Sequence, residues 1–303
     1  MAVPKRWAVV VNPTKFDDPS QIRARIDRAC LERDWPTPAW YETTAADPGH
    51  GQATQAVADG AQLVCPLGGD GTVRAVVAGL LGSDIPIGLL PGGTGNLLAR
   101  NLKLPTVDLE AAVVIALTGR TDHIDLGEVT WDDDPPEVFC VMAGMGLDAD
   151  IMAGVDESLK RTMGWWAYVV SAVTAIFRIG FGVRVRTSSD RLVSQHARMV
   201  LIGNCGELTG GVQLIPEASV DDGVLDVVLA SPRSLSAWLA VGLHLVTGRR
   251  RGHRALVHLQ DDRVWVSTKE PVAAQLDGDA VGLRREMICR VLPKALPVRR
   301  TSI

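Results

Sequence analysis

The chain has 303 residues and a formal net charge of -4, with 47% hydrophobic and 22% charged residues. That length predicts two domains of ordinary size, and that composition a real apolar core, which excludes a largely disordered chain. The acidic balance excludes a nucleic-acid binder, whose affinity needs a dense basic surface to displace counterions.

In chain order, Trp7-Ala8-Val9-Val10-Val11 is a short apolar run closed by Asn12-Pro13-Thr14, and reads as a buried strand. Residue spacing predicts a helix over 17–33, a strand over 36–41 and a helix over 52–59. Residues 61–67 read as a central strand, 73–81 as a helix, 85–90 as a strand, and 96–102 and 107–118 as helices. Such alternation is the pattern of an open, mainly parallel sheet with helices on its faces. From about residue 121 the runs become strand-like, over 124–130, 138–143, 183–187, 197–203, 224–229, 256–259 and 264–267. Helical stretches over 157–180 and 234–247 interrupt them. The expected fold is therefore an α/β domain over 1–120 followed by a mostly antiparallel β domain over 121–285.

Met163 to Gly182 is apolar enough to resemble a membrane span, but Arg178 interrupts it and Gly180 and Gly182 end it. It reads as a buried or cleft-lining helix. Cys30, Cys65, Cys140, Cys205 and Cys289 show no zinc or C-x-x-C spacing and read as reduced thiols. With an opening apolar run too short for a signal-peptide core, they point to a cytoplasmic setting.

Gly68-Gly69-Asp70-Gly71-Thr72 lies directly between a predicted strand and a predicted helix. Glycines let the backbone approach a ligand closely, and a helix N-terminus offers unpaired N–H groups and partial positive charge to a phosphate. The loop is neither a Walker A motif nor a G-x-G-x-x-G fingerprint, so the usual phosphate-binding lysine is missing. A second turn, Pro91-Gly92-Gly93-Thr94-Gly95-Asn96, follows the next strand, with Thr94 or Asn96 as candidate helix caps. Two adjacent parallel strands ending in such turns would build one crevice.

These two turns, with Ala99-Arg100, resemble the diacylglycerol kinase catalytic family of soluble lipid kinases. That family includes the bacterial diacylglycerol kinases and the sphingosine kinases. It shares its first motif with NAD kinases and phosphofructokinases. The resemblance continues through Gly144-Met145-Gly146-Leu147-Asp148-Ala149, Asn204, Gly210-Gly211, Pro216-Glu217-Ala218, Asp222-Gly223, Leu225-Asp226 and Leu276-Asp277-Gly278-Asp279. It implies an N-terminal ATP-binding domain, a C-terminal β-sandwich, a lipid acceptor entering between them, and a chain end, 286–303, that returns to the first domain. The activity it implies is ATP-dependent phosphorylation of a lipid hydroxyl, diacylglycerol to phosphatidic acid first. A protein that binds nucleotide or lipid without catalysis, and an NAD kinase, are the alternatives.

Residue by residue, the resemblance implies a phosphate cradle of Gly68, Gly69, Asp70, Gly71 and Thr72 with Thr94, extended by Asn12, Pro13, Thr14 and Thr44. Asp70 is a candidate partner for the Mg²⁺ that accompanies ATP. The family's late Asp-Gly-Glu reads Asp277-Gly278-Asp279 here, which makes Asp279 the expected base, with Asp277 sharing the task or simply forming a hairpin turn. The base is one methylene shorter than usual. A second, structural Mg²⁺ is implied at Ser219, Asp222 and Val224. After the first motif the family often has Asn-Glu. Here Arg74-Ala75 stands instead, with Arg74 expected in the first helical turn, within reach of phosphate.

For the acceptor, Trp165, Trp166 and Tyr168 offer an apolar, interface-suited stretch, and Arg249-Arg250-Arg251-Gly252-His253-Arg254 is a compact basic cluster for anionic headgroups. The expected partner is a lipid at a membrane surface, met by peripheral contact and without a spanning helix. A homodimer is allowed but not required.

Overall fold

Burial sets the centre of the first unit. Strand β1 (Ala8–Val11) has no exposed position, and β3 (Val64–Gly68) is buried throughout. Strands covered on both faces pair in parallel and need helices against them. In the computed structural model, β1 pairs in parallel with β2 (Ala39–Glu42) and β3, and β3 pairs in parallel with the short β4 (Leu90–Pro91). The order is β2-β1-β3-β4. The structure describes residues 3–146, 180–207, 215, 218–232 and 256–301.

Five helices accompany this sheet: α1 (Pro19–Leu31), α2 (His50–Ala58), α3 (Asp70–Leu80), α4 (Leu97–Asn101) and α5 (Leu109–Thr118). Local chemistry starts two of them. Asp18 accepts the N–H groups of Ser20 and Gln21 ahead of Pro19, and Asp108 accepts that of Ala111. Trp7, Val9 and Val11 pack with Cys65 and Leu67 of β3, Ile26 and Cys30 of α1, and Val113 and Ala116 of α5. All five cysteines are buried thiols outside any disulfide, and burial pushes the Cys30 thiol up to about 11.

The expected strand over 85–90 shrinks to Leu90–Pro91. Pro86 carries no N–H for a ladder, so only isolated bridges form upstream, Ile87 to Val64 and Ile87 to Val298. The second bridge brings the chain end into this unit: Ile87 N–H donates to Pro297 O, and Arg299 N–H to Ile87 O, both at 2.9 Å.

The second unit is built from antiparallel strands. They are β5 (Arg120–Trp131), β6 (Glu137–Phe139), β7 (Met142–Met145), β8 (Phe181–Thr187), β9 (Leu192–Ala197), β10 (Met199–Gly203), β11 (Leu225–Ala230), β12 (Leu256–Asp261), β13 (Arg263–Leu276) and β14 (Asp279–Arg300). They form one hydrogen-bonded sheet in the order β12-β11-β10-β7-β13-β14-β5-β6, with β8 joined to β13 and β9 to β8. A single apolar cluster takes Leu259 and Val227 from one end of that order, Val129 and Phe139 from the other, and Val183 and Val185 from β8. The sheet therefore closes over its own core as a sandwich does. Strand β8 shows why: from Gly182 to Thr187, exposed and buried residues alternate without a break.

Contacts divide the chain into Met1–Asp125 with Pro293–Ile303, and Leu126–Leu292. The divisions fall inside the long strands β5 and β14, whereas the sequence reading puts them at 120 and 286. Among the described residues no helix is long and apolar enough to cross a membrane. The helices expected over 157–180, apart from Gly180, and over 234–247, the Trp165–Tyr168 stretch, the 249–254 cluster, 147–149, Gly210-Gly211 and Pro216-Glu217 lie outside the described residues, while Phe181 and Gly182 open β8.

Candidate active site

The sheet order reverses direction beside β1: β2 lies on one side of it and β3 on the other. In open α/β sheets, the crevice outside the carboxyl ends of strands at such a switch point is where ligands bind. Asn12 ends β1 there. Its N–H donates to Leu67 O at 3.0 Å, and its side-chain oxygen accepts the N–H and hydroxyl of Thr14 at 3.1 and 2.8 Å. Its amide Nδ2 reaches the Thr72 hydroxyl at 3.5 Å, so Asn12, Thr14 and Thr72 form one chain of contacts between β1 and α3.

Helix α3 begins at Asp70, three residues before the sequence reading starts it. Gly69 is the capping residue, and the first intrahelical bond runs from Val73 N–H to Gly69 O at 3.0 Å. The N–H groups of Asp70, Gly71 and Thr72 precede that bond and belong to the positive end of the helix. The earlier start moves Arg74 into the second turn, past the groups that precede the first bond, and corrects its expected place in the first turn.

Glycine is required where the two turns meet. A Cβ on Gly92 would lie 2.6 Å from Gly68 N, and one on Gly93 would lie 2.6 Å from Gly69 Cα. The second turn therefore lies with its backbone directly against the first, as adjacent parallel strands predict. Asp70 ties them together: its Oδ1 accepts the Leu97 N–H at 2.6 Å. This carboxylate caps α4, so the cap expected from Thr94 or Asn96 comes instead from 27 residues upstream. Asn96 stands in the left-handed region, and its side chain holds Gly93 N–H, Gly93 O and Thr106 O. Thr94 is exposed within the second turn. Thr44, after β2, is exposed and accepts the Asp47 N–H at 3.1 Å; among the described residues no hydrogen bond joins it to the Gly68–Thr72 turn.

Lys15 is a residue the sequence reading missed. It ends the single helical turn Pro13–Lys15 that Asn12 caps, and the next residue, Phe16, packs against the apolar core. The side chain is thereby carried to Gly69: Lys15 Cε lies 3.9 Å from where a Cβ on Gly69 would sit, with no other heavy atom beyond the adjoining residues so close. Its ammonium has no acidic partner among the described residues. A lysine two residues beyond Asn-Pro at a strand end is the signal, but only the β1–β3 adjacency gives it meaning.

In the second unit, Asp277 and Gly278 are the two-residue loop between β13 and β14, with Leu276 paired to Asp279. Both have positive φ, 49° and 93°, the requirement of a type I′ hairpin. The Asp277 carboxylate is 4% exposed and accepts three backbone N–H groups, from Cys140, Val141 and Met142, at 3.0, 2.8 and 2.9 Å. So occupied, it holds the segment that leads into β7, and the hairpin-turn alternative stated for Asp277-Gly278 fits this geometry. Gln275, also missed from sequence, faces the same way two residues earlier: its buried Oε1 accepts the Gly278 N–H at 2.8 Å. Asp279 opens β14 and is exposed.

Ser219, Asp222 and Val224 lie in the turn that leads into β11. Asp222 is exposed, its Oδ1 accepts the Val224 N–H at 3.2 Å, and Gly223 has φ 77°. Ser219 donates to Asp221 at 2.7 Å. Such a turn offers carboxylate and carbonyl oxygens, the donors a hard cation takes. Among the described residues no three His, Cys, Asp or Glu side chains converge, so backbone oxygens would supply part of any such shell.

Residues 6–129 match the diacylglycerol kinase catalytic domain, and residues 141–300 match the YegS C-terminal NAD kinase beta sandwich-like domain. The chain belongs to the diacylglycerol kinase and YegS-like family of lipid kinases. It is a phosphotransferase by class. It is 30% identical over 286 residues to "Probable lipid kinase YegS-like" of Xanthomonas euvesicatoria pv. vesicatoria, covering 91% of this chain and 90% of that protein. It is 28% identical over 291 residues to "Diacylglycerol kinase" of Bacillus subtilis, covering 92% and 91%. In fold it is similar to the crystal structure of a diacylglycerol kinase from Bacillus anthracis str. Sterne, at TM-score 0.76 and 22% identity over 98% of this chain and 97% of that one.

Proposed function

We propose that this kinase transfers the terminal phosphoryl group of ATP, as its Mg²⁺ complex, to the hydroxyl of a membrane lipid, with diacylglycerol as the first candidate. What carries the reading is the pair of glycine turns in backbone contact at the switch point, with the first turn of α3 beside them. Phosphoryl transfer asks a protein chiefly for positioning and charge stabilisation. The N–H groups that open α3 would receive the phosphates, with Asn12, Thr14 and Thr94 at the margins of the same crevice. Asp70 holds the second turn on the first, and so keeps the cradle's shape. Magnesium, when bound, supplies charge neutralisation on the phosphates; Ser219, Asp222 and Val224 would hold a further ion that stiffens the second unit. Asp279 would take the proton from the acceptor hydroxyl. The enzyme would meet that acceptor by peripheral contact from the cytoplasmic side.

The test is transfer of labelled phosphate from ATP by the purified chain to diacylglycerol, monoacylglycerol, sphingosine, ceramide, phosphatidylglycerol and NAD. Labelled phosphatidic acid is the expected product. Transfer only to NAD, or to nothing despite ATP binding, would sink the reading.

Lys15 would supply the cation that a Walker loop takes from its own lysine. Lys15→Met is then expected to raise the KM for ATP about 10–100-fold, the range of one charge-assisted hydrogen bond, and Lys15→Arg to recover most of that loss. Steady-state kinetics at varied ATP decide it, and unchanged constants in Lys15→Met would remove Lys15 from the site.

A further inference from the structure

The antiparallel register places one row of side chains across four strands of the second unit. Leu192 on β9 pairs with Arg186 on β8, Arg186 with Trp265 on β13, and Trp265 with Ile288 on β14. Alternation along β8 settles which face this is: Val183 and Val185 are buried in the core, and Arg184 and Arg186 point away from it into solvent. Leu192 is 68% exposed. The Trp265 ring lies under two guanidinium groups, Arg186 at 4.7 Å and Arg263 at 5.7 Å from its centroid. Arg184, Arg186 and Arg263 have no acidic partner among the described residues. On the neighbouring strand, Arg290 is held by Glu128 and adds no free cation. Glu286 on β14 lies opposite Ser267, two residues before Ile288, and exposed Asp190 lies two residues before Leu192.

We infer that this face docks on an anionic phospholipid surface. Its composition is that of a membrane interface: an indole, an exposed leucine and half-buried isoleucine, and arginines whose forks match phosphate oxygens. Four strands side by side span about 15 Å, the width of several lipid headgroups. Two guanidinium groups on one ring repel each other, and phosphates between them would offset that repulsion. The inference rests on the lipid-kinase reading only for its purpose, since an enzyme with a membrane-embedded acceptor must first reach the bilayer. The docking itself is measured without turnover.

The full chain is sedimented with phosphatidylcholine vesicles, with and without phosphatidylglycerol. The wild type is expected to bind the anionic vesicles more tightly, less so as salt rises. Each neutralised arginine is expected to cost about fivefold in partition, so R186Q/R263Q should weaken binding about twenty-five-fold. Trp265→Ser should weaken binding to the same vesicles and leave its salt dependence in place. Phosphorylation of a dispersed short-chain diacylglycerol should stay at the wild-type rate in R186Q/R263Q, which reports both an intact fold and the kinase reading independently. Equal binding to both vesicle types, or wild-type binding by R186Q/R263Q, overturns the inference. So does a change of oligomeric state in R186Q/R263Q by light scattering, which would make the face a contact between two copies. Failure of the short-chain assay in the wild type would instead strike the kinase reading and leave the docking result standing.

Discussion

Asp279→Asn is expected to lower phosphoryl transfer about a thousandfold, within the range for loss of a general base, while the KM for ATP stays near the wild-type value. Asp279 is exposed at the start of β14, and the amide matches the carboxylate in shape, so stability should move by no more than about 0.5 kcal/mol. What is lost is the negative oxygen that would accept the hydroxyl proton. Steady-state kinetics with thermal melts on the same preparation decide it. Wild-type turnover would exclude Asp279 as the base, and a raised ATP KM with unchanged kcat would place it in nucleotide binding. Asp279→Glu, with one more methylene, should keep measurable turnover, because the reaching atom retains its charge. A displacement of about 1 Å can cost about a hundredfold, so its rate reports how well the hairpin compensates for the shorter side chain.

What the sequence revealed and what it hid divide along one line, local against distant. Apolar runs are local, and they located β1, β3 and α5, whereas β9, most of β13 and the 22-residue β14, with their many exposed positions, went unread. The start of α3 was missed because Gly71 in its first turn is a poor helix former by itself, and the neighbouring turn holds it in place. The strand over 85–90 was overcounted because apolarity outweighed Pro86 in the reading, while in the sheet the missing N–H decides. The cap of α4 by Asp70 and the proximity of Lys15 to Gly69 depend on which strands become neighbours, and spacing does not disclose that. Asp279 is a further case. No residue pattern around it distinguishes a base from a hairpin residue, so its proposed role rests on family resemblance alone.

Asp277 carries the largest stability effect, and two substitutions separate charge from turn geometry. Its carboxylate accepts N–H groups from residues 135 to 137 positions away and joins the β13–β14 turn to the segment before β7. Asp277→Ala leaves three buried donors unanswered and puts a side chain with no αL preference at φ 49°. The expected loss is about 3–5 kcal/mol in urea unfolding. Asp277→Asn keeps the conformation, since Asn-Gly is as good a type I′ pair as Asp-Gly. One amide oxygen can still serve Val141 and Met142, which share Oδ1, but the amide nitrogen would then face the Cys140 N–H, donor against donor. Its expected cost is smaller, about 1–3 kcal/mol. If the residue were only a turn former, Asp277→Asn would be neutral and only Asp277→Ala would destabilise. If it is a clamp, both destabilise in that order, and both also lower transfer, because the strand that starts with Asp279 begins at the turn the clamp holds.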